Sequence, residues 1–153
     1  MIKEGFKERL KDVATLKGSS HSAAFGFALG TFLAILPTFG FGAFIGLILV
    51  LIIRKINKLA LFLSFVIWNP LILVLFYPVS FGVGHTILEN SEMIPKSLSI
   101  LQQFFVYSKE FIIGSVILAS LIAIISYFIV FLLVDNYKKR KAKRNAILSP
   151  ANR

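Results

Sequence analysis

No cysteine occurs in the 153-residue chain. That excludes a disulfide framework and any metal site built on thiolates. Charge is scarce too: Asp, Glu, Lys and Arg make up 16% of the residues, where a soluble domain carries about 25%. Acids are the rarer sign, seven against seventeen Lys and Arg, for a net charge of +10, and there are only two histidines. No cluster of His, Asp and Glu has metal-ligand spacing. No nucleophile sits beside a base, and no glycine-rich phosphate loop follows a strand pattern. The chain therefore reads as a protein that is not an enzyme and takes no cofactor.

What is present is apolar. Hydrophobic residues make up 57% of the chain and aromatics 14%, including sixteen Phe, and mean hydropathy is +0.83. Disorder is excluded by that content. Residues 18–53, 59–88 and 111–134 contain no Asp, Glu, Lys or Arg. A spanning helix needs about 20 apolar residues, and a small soluble domain has too much surface to bury three such runs. The expected fold is all-α: a polytopic helical membrane protein with Pro/Gly-broken or re-entrant helices. A cleaved signal peptide fits poorly, because the leading charged stretch is long and carries both signs. The expected location is the plasma (inner) membrane of a prokaryote.

The basic surplus orients the chain. Lys3, Lys7, Arg9, Lys11 and Lys17 precede the first run; Arg54, Lys55 and Lys58 follow it; Lys138, Lys139, Arg140, Lys141, Lys143 and Arg144 follow the last. Residues 89–110 hold Lys96 and Lys109 against Glu89, Glu92 and Glu110. Lys and Arg flank membrane segments on the cytoplasmic side. Residues 1–17, 54–58 and 135–153 are thus expected inside and the 89–110 loop outside, with both termini cytoplasmic. The first run must then cross an even number of times or only dip in; the second and third must cross an odd number.

Two runs are broken. Pro37, Thr38, Gly40 and Gly42 interrupt the first, because proline lacks an N–H and glycine is a poor helix former. At helical rise Phe25–Leu36 covers about 18 Å and Phe44–Ile53 about 15 Å, while the hydrocarbon core is about 30 Å thick. A re-entrant helix hairpin satisfies both the lengths and the charges. The alternative is a tight hairpin of two full crossings that recruits residues 18–22 and 54–58. Trp68-Asn69-Pro70 interrupts the second run, and Pro78 is expected to interrupt it again. Irregular backbone at membrane depth is tolerated where protein or a cavity covers it, and broken helices build binding sites in transporters. Asn69 gluing two helices at a simple proline kink is the plainer alternative. Aligning Pro37 with Pro70 also pairs Phe32 with Phe65, Leu33 with Val66 and Ile35 with Trp68; an internal repeat would give this, but such matches come cheaply in apolar sequence. The third run, 111–134, reads as one straight crossing.

Residues 1–17 place Ile2, Phe6, Leu10, Val13 and Leu16 at helical spacing among basic residues, which suits an amphipathic helix lying in the interface. The loop 89–110 holds a weaker amphipathic piece with Ile94, Leu98, Leu101 and Phe105. Gly26/Gly30, Gly42/Gly46 and Ser115/Ala119/Ala123 are small-residue ladders that serve packing within the chain or self-association. The runs hold no carboxylate or amine of the kind ion pumps keep; His21 and His85 read as interfacial. The tail 138–144 is a topology determinant able to contact anionic lipid or a partner, and no specific nucleic acid is expected.

The stretch Ser22 to Leu88 follows a pattern: Gly26, Ala28, Gly30 and Phe32, then Pro37 and Gly40, then Asn57 and Ala60, then Asn69-Pro70, then Tyr77, Pro78, Gly82 and Gly84. In this it resembles the DUF2062 family, small integral membrane proteins of unknown function. That family often has Thr two residues after the Asn-Pro, where this chain has Ile72. The resemblance implies an integral membrane protein and no established activity.

The expected domains are an interfacial helix (1–17), paired broken segments (18–88), an outer loop (89–110), a crossing (111–134) and a basic tail (135–153). The expected site is Thr38, Ser64, Asn69, Tyr77 and Ser80 around the breaks at Pro37, Gly40, Gly42 and Pro70. It would move a small molecule, ion or lipid, and such a small bundle is expected to work as a homo-oligomer. The rival is a non-transporting scaffold or accessory subunit. Single cysteines replacing Ser20, Lys55 or Lys143 are expected to react with a membrane-impermeant maleimide only from the inside, and at Ser97 only from the outside. Labelling at Lys55 from the outside overturns this layout.

Overall fold

The computed structural model describes residues 19–38, 41–53, 56–88 and 100–148. The amphipathic helix expected at 1–17, Gly40, Arg54, Lys55 and the loop residues 89–99 lie outside the described residues. The rest form five helices, with no strand among them: α1 (Ser20–Ile35), α2 (Gly42–Ile52), α3 (Lys58–Ile67), α4 (Pro70–Ile87) and α5 (Ile100–Leu148).

Each of α1, α3 and α4 starts on a side-chain cap, which satisfies an amide that the helix itself leaves unpaired. Ser19 Oγ accepts from Ser22 N at 3.1 Å. Asn57 Oδ1 accepts from Ala60 N and Asn69 Oδ1 from Ile72 N, both at 3.1 Å. Proline also ends helices, because its ring disfavours helical geometry in the residue before it. Leu36, ahead of Pro37, is accordingly extended (φ −57°, ψ 140°), as is Asn69 ahead of Pro70 (φ −70°, ψ 163°). Pro70 then occupies the first turn, where no N–H is needed. Pro78 does not interrupt the second run as expected; α4 passes through it.

α1 lies at the centre, packed on α3 and α5. α1 and α2 form a hairpin. Gly42 lies under the Leu33 carbonyl, where an added methyl carbon would come within 2.7 Å of the oxygen. The chain then returns to the start of α1, where Asn57 N donates to Ser22 O at 3.3 Å. From there α3 runs parallel to α1. Gly26 abuts the Asn57 carbonyl, and Gly30 abuts the Leu61 carbonyl and the Ser64 hydroxyl. Ala23, Ala24, Ala60, Leu63, Val130 and Val134 close this end as a buried cluster with α5. The Gly26/Gly30 and Gly42/Gly46 ladders are thus used within the chain.

α4 packs antiparallel on α5 through a second glycine seam. Gly84 lies on the backbone of Glu110, and Gly114 on the carbonyl of Ser80. Ser80 Oγ donates to Phe76 O at 3.0 Å, so its hydroxyl is satisfied inside its own helix. The segment 100–110, expected as part of a loop, is the start of α5, and 135–148 is its continuation. Glu110, read as the last loop residue, is fully buried. Pro70–Ile87 and the stretch Tyr107–Arg144 are long and apolar enough to cross a membrane, while α1, α2 and α3 are shorter apolar helices.

Gly82 and Gly84 form a matched pair for mutation. Gly82 faces open space, whereas a methyl at Gly84 collides with the Glu110 backbone. Gly82→Ala is expected to raise thermal stability in detergent, by up to about 1 kcal/mol from helix propensity. Gly84→Ala is expected to lower it by about 1–3 kcal/mol, because helices must separate to admit the methyl. Thermal unfolding followed by circular dichroism checks both.

Candidate functional site: a cavity between two helix breaks

The breaks after α1 and α3 face the same space, a cavity of about 560 Å³. α1 and its break supply Leu33, Pro37 and Thr38, and α2 supplies Gly42. The end of α3 supplies Phe65 and Trp68; the start of α4 supplies Pro70, Leu73 and Tyr77; Phe111 of α5 closes the wall. The location follows from the backbone. Small residues hold the helices together below the breaks, and the extended residues at Leu36 and Asn69 turn the chain away above them.

Two aromatic pairs set the walls. Trp68 packs edge-on against Phe76, with ring centroids 5.1 Å apart, and its Nε1–H donates to Thr31 Oγ1 at 3.2 Å. Thr31 is completely buried, so this bond satisfies two polar groups otherwise stranded in apolar surroundings. Tyr77 meets Phe111 edge-on at 5.4 Å. The polar lining side chains are Thr38, Tyr77 and Trp68; the others are apolar. Thr38 is held in a tight turn, its N donating to Leu36 O at 2.7 Å and its O accepting from Phe41 N at 2.9 Å. Such a lining offers hydroxyls for orientation and apolar surface for binding. Among the described residues it contains no carboxylate, amine or imidazole to ligate an ion or move a proton.

Five of the residues expected at the site, Pro37, Thr38, Gly42, Pro70 and Tyr77, come together here. The structure uses three others elsewhere. Asn69 turns its side-chain oxygen to the first turn of α4 as its cap. Ser64 is fully buried, donating to Leu61 O at 2.7 Å beneath Gly30. Ser80 is buried at the Gly114 contact. Gly40 lies outside the described residues. Reading the breaks missed Trp68, Thr31 and Phe111. Trp68 is the chain's single tryptophan and directly precedes Asn-Pro, which was the available clue. Nothing local marks Thr31 or Phe111.

The basic residues Lys138, Lys139, Arg140, Lys141, Lys143 and Arg144 occupy the last turns of α5, where Lys139 Nζ pairs with Asp135 Oδ2 at 2.8 Å. His21 lies nearer that end, its Nδ1 2.6 Å from the Tyr127 hydroxyl and its ring 4.6 Å from that of Phe131.

The family described as "Uncharacterized protein conserved in bacteria (DUF2062)" matches residues 3–143, and the chain belongs to it. The match extends well beyond the Ser22–Leu88 motif region and covers most of α5, ending at residue 143. No curated protein and no solved structure matches significantly.

The cap at Asn69 yields a prediction. Asn69→Ala is expected to cost about 1 kcal/mol of thermal stability in detergent, and Asn69→Asp to retain most of it, as for other N-caps. Equal losses in the two variants, measured by thermal unfolding, would show that the amide does more than cap α4.

Proposed function

We propose that this DUF2062 protein is a multi-pass protein of a prokaryotic inner membrane that binds a lipid or another small uncharged solute in the cavity between its helix breaks and moves it across the bilayer. The carrying observation is that both breaks, far apart in sequence, open onto one apolar space with two hydroxyls. Several features support the membrane setting. Two helices are long and apolar enough to cross. Large apolar side chains along α2, α4 and α5 point outward, among them Leu51, Leu71, Leu75 and Phe128. Water solvates such a surface poorly, and lipid tails solvate it well. The hairpin of α1 and α2 returns to where it began, which suits a re-entrant element with its basic flanks on the cytoplasmic side. An ion is a poor cargo for this lining, because it would shed its hydration with nothing charged to replace it. A homo-oligomer would wall the cavity's open side.

Protein in liposomes is expected to move a fluorescent phospholipid between leaflets, measured by dithionite quenching. Thr38→Trp fills the cavity and is expected to slow movement at least about tenfold, a barrier change near 1.4 kcal/mol. Full activity in a folded Thr38→Trp protein removes the cavity from the pathway. The scaffold alternative draws on one observation: α5 continues as a helix through its basic turns. Under that reading, deleting 138–144 releases a co-purifying partner and liposomes show no lipid movement.

A further inference from the structure

Within the apolar length of α5 one acid is out of place. Glu110 is completely buried, and its carboxylate has been taken out of water at a close helix contact, where Gly84 lies on its backbone. A buried charge is costly unless something compensates it. Across the seam, His85 Nδ1 lies 3.2 Å from Glu110 Oε1, and the imidazole is 49% exposed. One member of the pair therefore faces the surroundings and the other faces the interior. The imidazole is also held in place: it stacks on Phe81 at 6.2 Å, and Phe81 packs on Tyr107 at 5.7 Å.

We infer that Glu110 and His85 form a proton-binding site at the end of the α4–α5 seam, loaded through the exposed imidazole and coupled through α4 to the cavity. The transfer balances simply. A proton from water binds the outer ring nitrogen, Nε2, and the proton on Nδ1 passes to Oε1, leaving a neutral carboxyl and a neutral imidazole. Loading replaces a charge-assisted hydrogen bond, Nδ1–H to the carboxylate, by a neutral one in which Oε1–H donates to Nδ1, and so weakens the hold of the α5 acid on the α4 histidine. The titratable neighbours are few among the described residues. α4 presents His85 and, against Phe111, Tyr77; Tyr107 and Lys109, both exposed, are on α5 itself. α2 contains none. In α1 and α3 the titratable groups are His21, which contacts Tyr127, and Lys58, at the start of α3.

Coupling runs along α4, a single helix. His85 and Gly84 lie at its end, Ser80 one turn earlier against Gly114, then Tyr77 against Phe111 and Phe76 against Trp68. Phe111 follows Glu110 directly in the chain and lines the cavity. A shift of α4 at His85 thus reaches Tyr77 along one continuous helix, which includes Pro78, and reaches Trp68 through the Phe76 ring. The inference rests on the proposed function only for what the cavity carries.

Trp68, the only tryptophan, is a native probe of this path. Full-length protein in nanodiscs is titrated between about pH 4 and pH 9, the range over which Glu and His charge in proteins, and Trp68 emission is recorded. The expected result is a one-proton transition that Glu110→Gln abolishes, that His85→Gln moves along the pH axis, and that His21→Ala leaves unchanged. In infrared difference spectra the same transition is expected to carry a protonated-carboxyl band, missing in Glu110→Gln. Should Glu110→Gln fail to fold, His85→Gln and the wild-type infrared band carry the test. A flat emission profile, or one identical in wild type, Glu110→Gln and His85→Gln, overturns the inference. Lipid movement with pH-independent Trp68 emission sinks this inference alone, whereas a titrating Trp68 in a protein that moves no lipid sinks the transport reading alone.

Discussion

At Gly26, Gly30, Gly42, Gly84 and Gly114 the path of one segment lies against the carbonyl or backbone of another, with no room for a methyl group. These contacts organise the molecule. They bring α3 alongside α1, fold α2 back on α1, and lock α4 to α5. In a setting where apolar side chains gain little by leaving their surroundings, such as the proposed bilayer, close backbone approach and dispersion do the work that hydrophobic burial does in water. Two hydroxyls at these seams fit the same logic. Ser64 and Ser80 donate to carbonyls of their own helices, so they add small volume without leaving a polar group stranded.

The cavity is the complement of the seams. Below Leu36 and Trp68 the helices touch; beyond them the extended residues ahead of Pro37 and Pro70 part the chain. Large aromatics line the space that opens, and Trp68 is held in orientation by its bond to Thr31. A broken helix here is a means of placing a void where lattice-like packing would otherwise close it. α1 and α3 run parallel and both end at this void. The glycine seam between α4 and α5 then ties one wall of the void, Tyr77 and Phe111, to the buried pair Glu110 and His85.

Legibility in the sequence was uneven for physical reasons. The helix breaks were readable because proline acts locally: it constrains its own φ and the residue before it wherever it sits. Five of the residues singled out around the breaks line one cavity for that reason. Asn69 reads from sequence as a site residue or as glue between helices; in the structure its side-chain oxygen caps α4, and a cap and a ligand look alike until the next turn is seen. Pro78 was read as a second break, yet α4 passes through it, because whether one lost hydrogen bond breaks a helix depends on what packs around it. Glu110 was assigned to a loop because charge was used to end the apolar run. The residue instead lies inside α5, and its partner His85 comes from another helix.

Composition, the spacing of charges and the positions of proline were enough to read helices and their breaks, since each of these acts through the chain's immediate neighbours or through bulk solvation. Which breaks share a cavity, which serines serve packing, and that a carboxylate is sealed against an imidazole were decided only by tertiary structure. Those relations depend on glycines allowing particular helices to touch, and one-dimensional order does not encode which pairs will meet.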